Sequence, residues 1–179
     1  ASTGAYRAQE ADYIVYSADA RESLVRSRIT PEQRAAVEGV AGVAEVGGLG
    51  SLQLGARPGD EPDSRDLIAT VLFGYELAPR GLPATPPARG EVIADTSLES
   101  DGVEEGSVLL LGPQRSPVTV VGFVDDTRYA GQGSLWGSLE TWREVTSANR
   151  PDKAVEGGVV QALVVRSDEP SGELAAAIE

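Results

Sequence analysis

The chain has 179 residues, of which 41% are hydrophobic, so it can form one ordinary domain or two small lobes that share a core, and a disordered chain is excluded. Its formal net charge of -13 at pH 7 makes nucleic acid and anionic lipid surfaces poor partners, because both carry the same sign of charge. The absence of His and Cys excludes Ser-His-Asp and Cys-His catalytic arrangements together with imidazole and thiolate metal sites, and no nucleotide-binding motif occurs.

The front of the chain predicts a strand followed by a helix. Residues 12–17 alternate as a strand does. Thr30-Pro31-Glu32-Gln33 is typical of a helix start, because Thr is a favoured N-cap, Pro suits the first helical position, and Gln at the third position completes a capping box. We expect Ala36, Val37 and Val40 to form the buried stripe of this helix.

The next region predicts two strands that are separated by a loop. Residues 43–53 carry apolar residues with glycines interspersed, which indicates a long strand with a bend or a bulge. Residues 56–66 are rich in Pro, Gly and acids and predict a loop at a lobe boundary, whereas residues 67–77 predict the second strand. Residues 78–89 are Pro-rich and predict a linker without regular pairing.

The segment 90–126 predicts a compact β unit around which the rest of the chain is arranged. Its three apolar runs, 92–94, 108–111 and 118–124, are rich in β-branched residues and are separated by Gly, Pro, Ser and Asp. This pattern is typical of consecutive strands. Between the first two runs, residues 97–100 are too few for a full helix, and turns that contain glycine follow.

After this unit the sequence predicts a loop, a helix and a strand. Residues 129–136 are rich in glycine and predict the loop. Ser138 is a favoured N-cap for a helix over residues 139–145, and Trp142 lies on the apolar face of that helix, so we expect it in the core. Residues 159–166 predict the strand.

The two chain ends resemble each other in style, because each combines a strand with a helix, the last helix being expected after Pro170. We therefore expect an α+β fold in which residues 1–58 and 157–179 form a split lobe and residues 59–156 form an inserted β-rich lobe. The chain starts without Met and stops within the expected last helix, so we interpret it as a segment of a longer protein.

Asp95-Thr96-Ser97, directly after a predicted strand, resembles the core motif of aspartic peptidases. That chemistry needs two carboxylates that share a proton, and no second copy of the motif occurs, so a homodimer with facing loops would be required. The alternative is that Asp95 or Thr96 caps a short turn after the strand, which also explains these residue types.

Clustered acids raise the question of a bound cation. Asp125 and Asp126, together with Asp101, Glu104 and Glu105, carry the oxygen ligands that Ca²⁺ and Mg²⁺ prefer, but their spacing does not match an EF-hand. Solvated turn residues are the favoured interpretation of these acids.

Two aromatic residues beside the glycine-rich loop are candidates for contact with a partner protein or a ligand. Tyr129 and Trp136 are informative because only 5% of the chain is aromatic and because aromatic side chains anchor interfaces. The alternative is a satellite core beneath the loop. A secreted module that binds a ligand through Trp136 is therefore a further hypothesis beside the peptidase.

Six segments in a characteristic order resemble the outer domain of bacterial FtsX-like and MacB-like ABC transporter permeases. They are ADYIVYS, ITPEQRAAVEGVAGVAEV, GEVIADTSL, the pair EEGSVLLL and VTVVGFVDD, LWGSLETWREV, and QALVVRSDEP. Together they extend over most of the chain, and the resemblance lies in their order and spacing.

The resemblance implies an extracytoplasmic domain, inserted between the first two membrane helices of a permease, with a porter-like split lobe and a Sabre-like inserted lobe. The implied partners are a cytoplasmic ABC ATPase, a second permease copy in a dimer, and an envelope protein or substrate that receives the ATP-driven change for export, extraction or activation. No catalytic residue of the family lies in this region, so we expect no enzyme activity, cofactor or metal site in the chain. The acidity agrees, because positive charge in such proteins concentrates on the cytoplasmic side.

Overall fold

A computed structural model describes residues 13–16, 28–79, 81–127, 131–154 and 158–167. These ranges contain eight strands, two α-helices and two short 3₁₀ helices. In chain order they are β1 (Tyr13–Tyr16), α1 (Pro31–Glu38), β2 (Val43–Pro58), β3 (Ile68–Tyr75), β4 (Glu91–Asp95), a 3₁₀ helix (Thr96–Asp101), β5 (Val108–Leu111), β6 (Ser116–Val124), β7 (Gly133–Ser138), α2 (Leu139–Asn149), a second 3₁₀ helix (Pro151–Lys153) and β8 (Ala162–Ser167). Among the residues described, no helix has the length and apolar character needed to cross a membrane.

All eight strands belong to one mixed sheet, in the order β1-β8-β2-β3-β7-β4-β6-β5, and β5 pairs in addition with β2. The extra pairing closes β2, β3, β7, β4, β6 and β5 into a ring, and β8 and β1 extend the sheet outward from β2. The pairs β3–β7 and β4–β6 are parallel. We call the six closed strands the ring and the pair β1–β8 the extension.

Strand β2 belongs to the ring and joins it to the extension by pairing with β8. Residues 43–49 of β2 pair with β8, residues 56–58 pair with β5 on the same side, and residues 49–56 pair with β3 on the other side. The predicted irregularity is present as a register shift between Val43 and Glu45. The strand is five residues longer than predicted, because Ala56, Arg57 and Pro58 pair with β5 instead of starting a loop.

The side chain of Gln161 pairs with Ser51 of β2, between the part of β2 that pairs with β8 and the part that pairs with β5. Its side-chain Oε1 accepts from the Ser51 backbone N at 2.7 Å, and its Nε2 donates to the Ser51 carbonyl at 3.1 Å. The amide therefore takes the place of a paired backbone residue between β8 and β5. It is 5% exposed, and this pairing satisfies its buried polar atoms.

Strands from the two chain ends pair with each other, as expected. Strand β1 runs antiparallel to β8, with Tyr13 opposite Val165 and Tyr16 opposite Ala162. An isolated bridge between Ile29 and Val160 adds a second connection. The closing helix expected after Pro170 lies outside the described residues.

Helix α1 starts as the sequence predicts. Thr30 and Gln33 form a reciprocal capping box, with Pro31 in the first helical position. The predicted buried stripe is only partly right, because Val37 is buried whereas Ala36 is exposed and Val40 is half-buried. Polar contacts made by Arg34 hold this short helix against the sheet instead.

Arg34 connects α1 to the start of the ring. Its Nη1 lies 2.6 Å from Glu76 Oε1, and the same oxygen accepts from the Gly48 backbone N at 2.9 Å. The hydrogen bond to Glu76 raises the pKa of Arg34, although burial opposes the shift. The contact joins the helix to both β2 and the residue that follows β3.

The interior of the ring holds the main hydrophobic cluster. Successive residues of a strand point to opposite faces, so each ring strand sends alternate side chains inward. Every ring strand contributes at least one buried residue to this cluster, for example Leu52, Leu72, Leu135, Val92, Val118 and Leu109.

A second cluster lies on the opposite face of the sheet. It contains Phe73, Tyr75, Ile93 and Trp136 from the ring together with Leu82 from the Pro-rich segment. As predicted, the described part of residues 78–89 forms no helix or strand. It nevertheless covers this face, because Leu82 is buried and the Tyr75 hydroxyl donates to the Pro83 carbonyl at 3.0 Å. Burial raises the pKa of Tyr75 to about 12.

Helix α2 packs against the ring through Trp142, which is fully buried, as predicted. Ser138 caps the helix by accepting from the Thr141 backbone N at 3.1 Å, also as predicted. The helix extends four residues beyond the predicted end. Asn149 in its last turn accepts from the Gln114 backbone N at 2.9 Å and so fastens the helix to the turn between β5 and β6.

The central β unit agrees with the sequence, whereas the loop predicted over residues 129–136 is partly wrong. Strands β4, β5 and β6 coincide with the three predicted runs, and a 3₁₀ helix follows β4 where a full helix was excluded. In place of the second half of the loop, Gly133–Ser138 forms β7 between β3 and β4. Its Gly and Ser residues hide the strand in the sequence, but Gly133 is required because a Cβ there would lie 2.5 Å from Leu98 Cδ2.

Candidate functional site

A buried carboxylate lies at the end of β4. Asp95 is 1% exposed and accepts hydrogen bonds from the Ser97 backbone N at 2.9 Å, the Thr127 backbone N at 2.8 Å and Thr127 Oγ1 at 2.6 Å. The bond from Ser97 makes Asp95 the N-cap of the 3₁₀ helix that follows. The bonds from Thr127 hold the chain just after β6 against the end of β4.

The network extends from Thr127 into β7. Ser134 Oγ donates to Thr127 Oγ1 at 2.8 Å, and Trp136 Nε1 donates to Ser134 Oγ at 2.7 Å. Each hydroxyl thus accepts one bond and donates the next, and the series ends on the Asp95 carboxylate. Such chains polarise one another in a buried environment. We call Asp95, Thr127, Ser134 and Trp136 the buried relay.

The hydrogen bonds that Asp95 accepts explain its charge state. Burial alone would raise its pKa, but the hydrogen bonds from Ser97 and Thr127 outweigh burial and lower the pKa below its usual value of 3.8. The carboxylate is therefore ionised and fully engaged at neutral pH.

The capping interpretation of Asp95-Thr96-Ser97 is confirmed, and the peptidase interpretation has no support in the described residues. The hydrogen-bond partners of Asp95 among these residues are backbone N–H groups and a hydroxyl, and none is a second carboxylate. An aspartic dyad requires two carboxyl groups in contact.

The structure places Trp136 in the core instead of at a partner surface. Its ring is fully buried, stacks on Phe73 at a centroid distance of 4.3 Å, and meets Tyr75 edge-on at 6.2 Å. The physical reason is its position on β7 opposite Phe73 of β3, which places the two rings on one face. Tyr129, the other predicted contact, lies outside the described residues.

The acids considered as cation ligands are exposed. Asp125 and Asp126 are solvent-accessible after β6, as are Asp101, Glu104 and Glu105 in the turns before β5. Within the described ranges, no group of three or more His, Cys, Asp or Glu residues is placed to hold a metal ion.

Two clefts open at the end of the ring where β2 finishes and β3 and β7 begin. The first, which we call the acidic cleft, has a volume of about 500 Å³ and is lined by Asp66, Leu67, Leu98, Ser100 and Asp101 among others. The second has a volume of about 470 Å³ and has Arg57 and Arg150 in its lining. Leu67, Ala69 and Gln132 border both clefts.

Two of the residues shared by the clefts, Leu67 and Gln132, are unusual for a surface. Leu67 is 52% exposed, which makes it, with Val108, one of the exposed large hydrophobic residues of the described chain. The Oε1 atom of Gln132 is buried and has no hydrogen-bond partner among the described residues. An unsatisfied buried acceptor costs about 1–3 kcal/mol. Sequence reasoning missed these clefts, because their lining residues come from several segments that lie far apart in the sequence. The exposed Leu67 after an acidic loop was the available signal.

Comparison with solved structures identifies the architecture. The extracellular domain of the noncanonic ABC-type transporter YknZ from Gram-positive bacteria superposes with a TM-score of 0.57 at 13% identity, covering 92% of this chain and 86% of that chain. The periplasmic region of MacB from Actinobacillus actinomycetemcomitans superposes with a TM-score of 0.57 at 14% identity, covering 91% and 77%. The chain has the fold of these outer transporter domains. No family model and no curated protein matches its sequence.

The transporter-domain fold confirms the predicted α+β class. In this chain, the first and last described strands form the extension, and the two clefts lie at the end of the ring where β2 finishes.

Proposed function

We propose that this chain is the extracytoplasmic domain of an FtsX/MacB-type ABC transporter permease and that it relays an ATP-driven conformational change to an envelope protein or substrate. The likeness to the outer domains of YknZ and MacB over more than nine tenths of the chain supports this. ATP hydrolysis belongs to a separate cytoplasmic ATPase, and the chain itself is not an enzyme.

The observation that carries the proposal is that the first and last described strands are neighbours. Because β1 and β8 are antiparallel, the chain enters the sheet at Tyr13 opposite Val165, close to the point where it leaves. A domain whose first and last strands lie side by side suits insertion between two adjacent membrane segments. A displacement of those segments would then act on β1 and β8 together.

Strand β2 supports a mechanical path from this entry point to the far end of the ring. Its first half is hydrogen-bonded to β8, and its last residues are hydrogen-bonded to β5, beside the two clefts. We propose that residues 1–58 and 157–179 form the membrane-side lobe and residues 59–156 the inserted lobe. On this division, β2 extends from the first lobe into contact with the second.

A flexible insertion tests the proposed transmission of movement from the membrane segments to the domain. The parent permease is expressed with its ATPase, and Gly-Ser inserts are placed immediately before residue 1 and after residue 179. Flexible linkers transmit little force, so we expect the envelope activity to be lost while the domain stays folded and the ATPase continues to turn over. A matched control carries the same insert between Asp60 and Glu61, an exposed loop that does not join the lobe to the membrane side. Full envelope activity with both terminal inserts would contradict the proposal.

A further inference from the structure

The acidic cleft has the charge and shape of a receptor for a cationic side chain. Asp66 and Asp101 stand in its lining, and both are exposed. Neither carboxylate forms an ion pair with a described residue. The ion pairs seen join four other arginines, Arg34, Arg89, Arg115 and Arg166, to acids outside the cleft. The described lining of this cleft contains no Arg or Lys. Its charge is therefore uncompensated within the described chain.

Apolar and hydrogen-bonding groups accompany the two carboxylates. Leu67 in the lining is 52% exposed, so the cleft offers an apolar surface beside the charges, whereas Leu98 in the lining is buried. Gln132 also lines the cleft, and its buried Oε1 lacks a partner among the described residues. An arginine side chain matches this combination, since its guanidinium presents five donors and its methylene stem packs on apolar surface.

We infer that the acidic cleft binds an arginine side chain in an extended segment of the partner protein, with a neighbouring apolar side chain packed on Leu67. This inference rests on the proposed function, since it describes how the partner would dock on the inserted lobe. Charge complementarity favours a basic protein segment as the occupant. The two carboxylates have no ion-pair partner among the described residues, and in a chain of net charge -13 they repel phosphates and anionic lipids.

The second cleft does not share this chemistry. Arg57 and Arg150 stand in its lining, and Arg57 Nε already donates to the Ser64 carbonyl at 3.0 Å. A cationic side chain is therefore expected in the acidic cleft and not in its neighbour, although Leu67 borders both.

A peptide titration tests the inference without knowledge of the partner. The 179-residue chain is titrated with N-acetyl-Leu-Arg-Leu-amide at low ionic strength, and backbone amide resonances are followed by NMR. We expect shifts centred on the lining residues Asp66, Leu67, Asp101 and Gln132, with binding that weakens as salt is added. The matched peptide with citrulline in place of arginine keeps the shape and loses the charge, so we expect it to bind about tenfold more weakly or not at all.

Matched variants locate the contact. Asp66→Asn with Asp101→Asn should weaken the arginine peptide to the level of the citrulline peptide, whereas Glu104→Gln with Glu105→Gln removes two exposed charges outside the cleft and should leave binding within about twofold. Equal binding of the two peptides would overturn the inference, as would shifts that lie elsewhere.

These outcomes do not depend on the proposed transmission of movement. Failure of the peptide to bind would leave the result of the terminal-insert experiment unaffected, and loss of envelope activity in the terminal-insert variants would leave the peptide affinity unchanged. The two proposals are therefore distinguishable.

Discussion

Asp95 joins three segments through one buried carboxylate. It ends β4, caps the 3₁₀ helix through Ser97, and holds the residue after β6 through Thr127. The hydroxyl of Ser134 and the indole of Trp136 continue the same chain of bonds into β7. A motif that resembles a catalytic one thus holds β4, the end of β6 and β7 together.

Asp95→Ala should be strongly destabilising. It leaves the Thr127 N–H and hydroxyl without an acceptor in a buried site, so we expect the free energy of unfolding to fall by about 3 kcal/mol at pH 7. Urea unfolding of Asp95→Ala and of the exposed control Asp125→Asn measures this difference. A loss below about 0.5 kcal/mol, equal to the control, would refute the structural role.

The same variant should show a defined pH dependence. The folded-state pKa of Asp95 lies below its usual value of 3.8, so its contribution to stability is present in full above about pH 3.8 and is lost as the pH falls through the lower folded-state pKa. The stability gap between wild type and Asp95→Ala should therefore narrow on acidification below pH 3.8. A gap that widens in acid would show the opposite shift.

The residue types in the sequence indicated part of this site. An Asp directly after a strand and before a turn predicts a cap, since capping is a local interaction within three residues. The bond from Thr127 joins residues 32 apart, and the burial of Trp136 depends on Phe73 of another strand. Such contacts depend on strand order, which one sequence does not display.

At the scale of elements, the packing of α2 on the ring depends on two glycines. A Cβ on Gly50 would lie 2.3 Å from Trp142 Cε2, and a Cβ on Gly74 would lie 2.6 Å from Trp142 Cβ. Gly50 of β2 and Gly74 of β3 are paired residues, so together they leave a slot for the indole. The slot sets the distance between the helix and the sheet.

Gly50→Ala should therefore push the helix away from the sheet. We expect a loss of about 3 kcal/mol in the free energy of unfolding, because the added methyl overlaps a fully buried ring. Gly39→Ala is the matched control, since its Cβ would meet atoms no closer than 3.6 Å. In a Trp142→Leu background the cost of Gly50→Ala should shrink, and double-mutant analysis of thermal unfolding measures that coupling. Equal destabilisation by Gly50→Ala in both backgrounds would contradict a slot that Gly50 leaves open for Trp142.

Elements with local signals were predictable, and elements defined by their neighbours were not. The caps at Thr30 and Ser138 and the strands β4 to β6 follow from short-range chemistry. Strand β7 escaped prediction because Gly and Ser residues normally indicate loops, and only its position between β3 and β4 makes it a strand. The end of β2 escaped for the same reason, since β5 completes it.

At the scale of the whole molecule, the described strands divide into a closed ring and a two-stranded extension. The ring has no open edge between β2 and β5, and the extension consists of the first and last described strands. The proposed function requires that a displacement of the extension be transmitted through β2 to the clefts beside its end. The order of strands could be predicted only through the family resemblance, because no local pattern encodes ring closure.

The most direct test of the proposed ATP-driven movement is the distance between the outer domains of two permease copies during the ATP cycle. The chain contains no Cys, so Asp60→Cys provides one spin-label site per domain. Pulsed electron spin resonance on the assembled permease and ATPase then compares the nucleotide-free state with the ATP-trapped state. We predict that the main label-to-label distance shifts by more than the width of the nucleotide-free distribution, and that an ATPase unable to bind ATP abolishes the shift. Identical distributions in both states would contradict a domain that moves with ATP.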